Sequence, residues 1–200
     1  MSDGMLASLG SSARPHGTPA HALAPGVMYW QARERDRIVV RLVFAPENRI
    51  QVDVWWNRSE GRPDVQCVFG LYGGSVEFGS LTGNGFDAPQ FHRIGLGTFV
   101  VNVAVQALKA TCKRSTIVEG VLSNTAEAVL PEQERARLEA NRRAFWRRFG
   151  LDVQTRGDPP LDYLTGHVGS LRIVPTGLVG GQFPRCVSLR DFASERPAQS

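Results

Sequence analysis

The residues best placed to do chemistry lie within residues 89–109, PQFHRIGLGTFVVNVAVQALK, where Gly95 and Gly97 stand directly before a helix-like apolar run. Glycine inside a helix costs about 1 kcal/mol relative to alanine, so a pair here marks a backbone that must turn sharply or lie close against something. The first N–H groups of a helix have no partner within it and carry partial positive charge, which makes such a start a seat for an anion. In His92-Arg93-Ile94-Gly95-Leu96-Gly97-Thr98 the amides around residues 93–98 would face that anion. Arg93 could add a charge-assisted contact. A tight strand-to-helix turn without any ligand is the other reading of the same two glycines.

Two carboxylates, Glu77 and Glu119, sit in strand-like segments on either side of this motif. Each fits a solvated or paired strand side chain, the commoner case for such residues. Cys67, Cys112 and Cys186 are odd in number and far apart, and no CxxC or histidine-rich cluster accompanies them. They read as free thiols of a reducing compartment, with no metal site expected.

The elements that must position these groups follow from periodicity. Residues 37–44 and 50–56 form a hairpin about the APEN turn, with Ile50, Val52, Val54 and Trp56 on one face. Residues 65–71 and 75–81 give two more strands around YGG, so four antiparallel strands are expected before the first helix. That helix, residues 98–110, is apolar on nearly every side and should be packed between the sheet and other elements. TIVEGVLS, residues 116–123, is a strand. A second helix starts near Pro131, with Glu132 and Glu134 in its first turn and Arg147 and Arg148 in its last, and Gly150 stops it. LDVQT, GSLRIVP and RCVSL are further strand candidates, giving an α+β order.

Residues 1–25 are rich in Ser, Ala, Gly, Pro and His and are expected to be a disordered tail. Residues 26–192 then form one domain and residues 193–200 a flexible end. With 200 residues, 42% of them hydrophobic, the chain can bury one core. The net charge of +4 rests mainly on arginine, which suits an anionic small ligand. Six arginines on the second helix read as a solvated face, and without interleaved exposed aromatics a nucleic-acid partner is not expected. The longest apolar run is too short for a bilayer and no secretory h-region is visible, so a cytoplasmic protein without a membrane partner is expected.

The motif His92-Arg93-Ile94-Gly95-Leu96-Gly97 resembles the phosphate loop of the GNAT superfamily of acyl-CoA N-acyltransferases, Arg/Gln-x-x-Gly-x-Gly/Ala ahead of a helix. Pro89 and Phe91 before it, the VEGVLS strand and the AFWRRFGL helix end after Asn141 extend the match over residues 76–151. The resemblance implies a GNAT-like mixed, mostly antiparallel sheet flanked by helices and splayed between residues 75–82 and 116–123. It further implies acetyl-CoA as cosubstrate in that splay, held by His92, Arg93, Ile94, Gly95, Leu96, Gly97, Thr98 and Asn141, with Glu77 or Glu119 as base toward an amine. The amine would belong to a small molecule or a protein, and a homodimer stays open.

Two residues depart from the pattern. His92 replaces the usual Arg or Gln, and Trp146 stands where many members carry a tyrosine that protonates the departing thiolate. An indole N–H cannot serve as that acid. Tyr72, Tyr163, His167 or Cys186 would replace it only if folding brings one to the sulfur. An acyl-CoA-binding protein without catalysis, or one that docks a macromolecule, is the alternative.

Overall fold

The computed structural model of the protein describes residues 23–31, 38–45, 48–56, 60–83, 95–122, 130–157, 161–175 and 187–194. Five strands come first: β1 (Gly26–Gln31), β2 (Ile38–Ala45), β3 (Arg49–Trp56), β4 (Val65–Tyr72) and β5 (Ser75–Thr82). Then follow α1 (Leu96–Thr111), β6 (Ile117–Leu122), α2 (Glu132–Arg148), β7 (Asp152–Arg156), β8 (Leu161–His167) and the short β9 (Ala193–Ser194). These strands make one sheet in the order β7-β8-β6-β5-β4-β3-β2-β1-β9. Every neighbouring pair is antiparallel except β5 and β6. The fold is α+β, a mostly antiparallel mixed sheet flanked by two helices.

Strict alternation builds the first half of the sheet. Ile38, Val40, Leu42 and Phe44 of β2 are buried, as are Ile50, Val52 and Val54 of β3 and Val65, Cys67, Phe69 and Leu71 of β4. The pairing register keeps them on one face, which we call the inner face. Each such side chain contributes about 1.5–3 kcal/mol on burial. Helix α1 lies over β3 and β4 on this face, with Phe99 against Trp30 of β1 at 6.1 Å between ring centroids. Twelve of its sixteen residues are buried, so it needs cover on its outer side as well. That cover comes from the chain after β8: Asn102 donates to the Val174 carbonyl at 2.8 Å and accepts from the Val174 N–H at 2.9 Å, and Gln106 donates to the Val187 carbonyl at 2.8 Å.

Helix α2 packs on the same inner face at the other end of the sheet. Only Trp146 is buried along it, and its ring meets Phe78 of β5 edge-on at 4.7 Å. Register ties Phe78 to Phe69 and Ile50, and so to the face that α1 covers.

Several expectations about elements change. Among the described residues five strands, not four, precede α1, because GVMYWQ forms β1 without clear alternation. GSLRIVP is not a strand: residues 168–170 form a 3-10 turn, and Leu171 and Val174 are buried from an irregular segment. The described part of RCVSL leads into another 3-10 turn at residues 189–191, while Arg185 and Cys186 lie outside the described residues. The strand missed near the end is β8, whose inward positions are Asp162, Leu164 and Gly166, so it shows no apolar alternation.

Candidate functional site

The parallel ladder of β5 and β6 is short. Ser75 faces Ile117, Val76 faces Val118, Glu77 faces Glu119 and Phe78 faces Gly120, where the pairing stops. Past this rung, residues 80–82 of β5 pair only with β4, and residues 121–122 of β6 pair only with β8. Among the described residues no strand fills the gap. The cause is local: Phe69 faces Phe78 but Val68 faces Ser80, which leaves Gly79 as an extra residue. Such a bulge bends and twists its strand, and here it turns β5 away from β6. At the last rung the strands are very close, since a Cβ on Gly120 would lie 2.7 Å from the Phe78 Cβ and 2.9 Å from its carbonyl oxygen. Gly120 therefore fixes the point of divergence.

The N-terminus of α1 lies at this same end. A crossover between parallel strands makes α1 run back against β5, so its first turn sits where the strands finish. Phe99 confirms the placement: its partner Trp30 lies in the row of Val40, Val54 and Val65, beside Gln66, which faces Thr82. Gly95 opens the helix at φ 88°, a left-handed backbone that a side chain would strain, and its carbonyl accepts the Phe99 N–H at 3.0 Å. No side chain caps this start and no acidic residue stands in the first turn. The amides of Leu96, Gly97 and Thr98 thus belong to the first turn, where helical N–H groups have no intrahelical acceptor. His92, Arg93 and Ile94 lie outside the described residues.

An aromatic cluster floors the parting on the inner face. Trp146 meets Phe78, lies 5.1 Å from Phe145 and 6.2 Å from Phe149, and is 2% exposed, while Phe78 also meets Phe69 at 5.5 Å. The predicted carboxylates stand on the opposite, outer face. Glu77 and Glu119 are direct cross-strand neighbours and both are exposed. Thr165 and Asp152 continue their row across β8 and β7. Tyr72 is exposed two rungs away, opposite Ser75, Tyr163 is half-buried opposite Val121, and the exposed His167 caps the 3-10 turn after β8. Asn141 is exposed on α2, away from the helix's buried residue Trp146.

Sequence reasoning missed two ionic clusters. In the first, Asp53 of β3, fully buried, accepts from Arg41 Nε at 3.0 Å and from Arg41 Nη2, from Gln51 Nε2 at 2.9 Å and from Gln66 Nε2 at 2.7 Å. Burial pulls the Arg41 guanidinium down, but the Asp53 carboxylate outweighs it and the group lies above its ordinary value. In the second, Asp162 of β8 accepts from Arg143 of α2 at 3.0–3.2 Å and from Thr155 Oγ1 at 2.7 Å. Burial alone would raise Asp162, yet the hydrogen bonds from Arg143 and Thr155 hold it below the ordinary carboxylate value. Arg143 is raised in turn, chiefly by its hydrogen bond to Asp162. The register shows the cue that was available: Leu122 faces Asp162, an acid at an inward position beneath an arginine-rich helix. Burial drives the Cys67 thiol far up, which marks it as unreactive core.

Compared with known proteins, the chain matches no family model, no curated protein and no solved structure. Among the described residues no group of His, Cys, Asp or Glu could hold a metal ion, and no helix is long and apolar enough to cross a membrane.

Proposed function

We propose that the protein is a GNAT-type acyl-CoA-dependent N-acyltransferase of the cytoplasm, with acetyl-CoA as cosubstrate and an amine as acceptor. The observation that carries this reading is the coincidence of two features at one end of the sheet: the parting of β5 from β6 after the Phe78–Gly120 rung, and the uncapped, glycine-initiated N-terminus of α1. A ligand with phosphates at one end and an amide-containing arm at the other suits both. The pyrophosphate sits on the first amides of α1 with help from Arg93. The arm's amides pair with the strand edge left open past Phe78, as an added strand would.

Backbone N–H groups of that edge can then stabilise the oxyanion as the amine nitrogen attacks the thioester carbon. The amine's proton passes to Glu77 or Glu119, by way of water, from the outer face, where the two carboxylates stand side by side. The carbon–sulfur bond breaks and the thiolate takes its proton from solvent. Trp146 cannot supply that proton, and loss of a general acid costs about 10²- to 10⁴-fold in rate. A thiolate is a good enough leaving group for the reaction to proceed at that reduced rate.

The test is calorimetry of coenzyme A on the wild type, Arg93→Ser and Gly97→Asp, each checked for folding by its melting curve. Binding that weakens at least tenfold in both variants supports the reading, whereas unchanged affinity removes the loop from it. A second reading, acyl-CoA binding without catalysis, is favoured by the burial of Trp146 among Phe78, Phe145 and Phe149, a cluster with no ionisable group in it. Release of free thiol across a broad panel of amines separates the two, since clear turnover with any amine eliminates the silent protein.

A further inference from the structure

We infer that Trp146 and Phe78 set the acyl-chain length, restricting the protein to acetyl and propionyl groups. The inference rests on the acyl-CoA reading above and concerns the apex of the same cleft. A ligand whose phosphates lie at the N-terminus of α1 points its acyl end toward the last β5–β6 rung, because the cleft narrows to that rung. There the inner side is closed by the Phe78 ring with Trp146 edge-on against it at 4.7 Å.

This floor has nowhere to retreat. Behind Trp146 stand Phe145 and Phe149, and beside Phe78 stands Phe69. The approach of β6 is equally fixed, since even one methyl group on Gly120 would collide with Phe78. Trp146 and Phe78 are 2% and 7% exposed, so the rings are held by packing and not by solvent-facing freedom. A packed interior does not yield room for further methylenes without strain. A tyrosine at position 146 would bring an acid to this place; the tryptophan brings volume instead.

Chain length supplies a sharp readout, because each methylene that enters an apolar pocket strengthens binding by about fourfold. Coenzyme A, acetyl-, propionyl-, butyryl- and hexanoyl-CoA are titrated into the wild type, Trp146→Leu and Phe78→Leu. In the wild type, affinity should peak at acetyl or propionyl and fall at least tenfold by hexanoyl. In either leucine variant that is folded by circular dichroism, hexanoyl-CoA should bind at least as tightly as acetyl-CoA, with affinity for free coenzyme A unchanged within about twofold. Phe78→Leu removes less volume and carries the test if Trp146→Leu does not fold. Tight binding of hexanoyl-CoA by the wild type, or an unmoved preference in both variants, overturns the inference while leaving the acyl-CoA reading in place. No binding of free coenzyme A by the wild type would overturn that reading and the inference with it.

Discussion

The inward positions of β2, β3 and β4 are filled by eleven hydrophobic side chains from Ile38 to Leu71, whereas those of β8 are Asp162, Leu164 and Gly166. The helices differ in the same way: α1 buries twelve residues, and α2 buries Trp146. Stability in the first half is therefore spread over many equivalent contacts. The second half has fewer of these, among them Val118, Leu122, Val153 and Leu164, and adds specific contacts: the aromatic cluster around Trp146 and the Arg143–Asp162–Thr155 hydrogen bonds. The cleft opens along the seam between them. Single substitutions of those specific contacts should therefore carry a large loss of stability.

Trp146→Ala should break this arrangement most severely. It removes the largest buried side chain of the second half and should cost about 3–5 kcal/mol, read from urea denaturation. A cost below about 1 kcal/mol would show that the second half is not hung on this ring.

Asp162→Asn should cost about 2 kcal/mol at neutral pH, since it weakens charge-assisted hydrogen bonds from Arg143 and Thr155. Its pH dependence is diagnostic. The folded carboxyl lies below its unfolded value, so its contribution is complete above about pH 4–5 and fades as pH falls through the folded value. The stability difference between wild type and variant should shrink on acidification, and a constant difference would contradict the charge's role.

Gly95→Ala should cost about 1 kcal/mol through its left-handed backbone, measured as a lower melting temperature. Because Gly95 starts α1, this loss belongs to the first half and should leave the Arg143–Asp162 pair intact.

Glu77→Gln should leave stability within about 0.5 kcal/mol, as expected of an exposed strand residue. Turnover should fall most at mildly acidic to neutral pH, where the amine is largely protonated. Undiminished turnover from pH 6 to 9 would shift the base to Glu119 or to water.

The same contrast explains what the sequence disclosed. Alternation in IVVRLVFA and RIQVDVWW made β2 and β3 legible, and the all-round apolar face of α1 correctly implied cover on both sides. The cover itself was illegible, because Asn102 and Gln106 reach carbonyls more than seventy residues away. β8 was hidden because an acid paired with a distant arginine occupies an inward position. For the site, Gly95 announced the start of α1, while the bulge at Gly79 and the close contact at Gly120 carry no signal until strands are paired. Glu77 and Glu119 were picked out singly, and only the register makes them neighbours on the face opposite Phe78.

The central claim, that acyl-CoA occupies the parting of β5 and β6, is tested most directly by amide hydrogen exchange with and without coenzyme A. The account predicts added protection confined to residues 79–82 and to the first turn of α1, residues 96–98, with residues 75–78 unchanged because they already pair with β6. Protection absent from both segments at saturating coenzyme A, or located only on the outer face around β7 and β8, would contradict it.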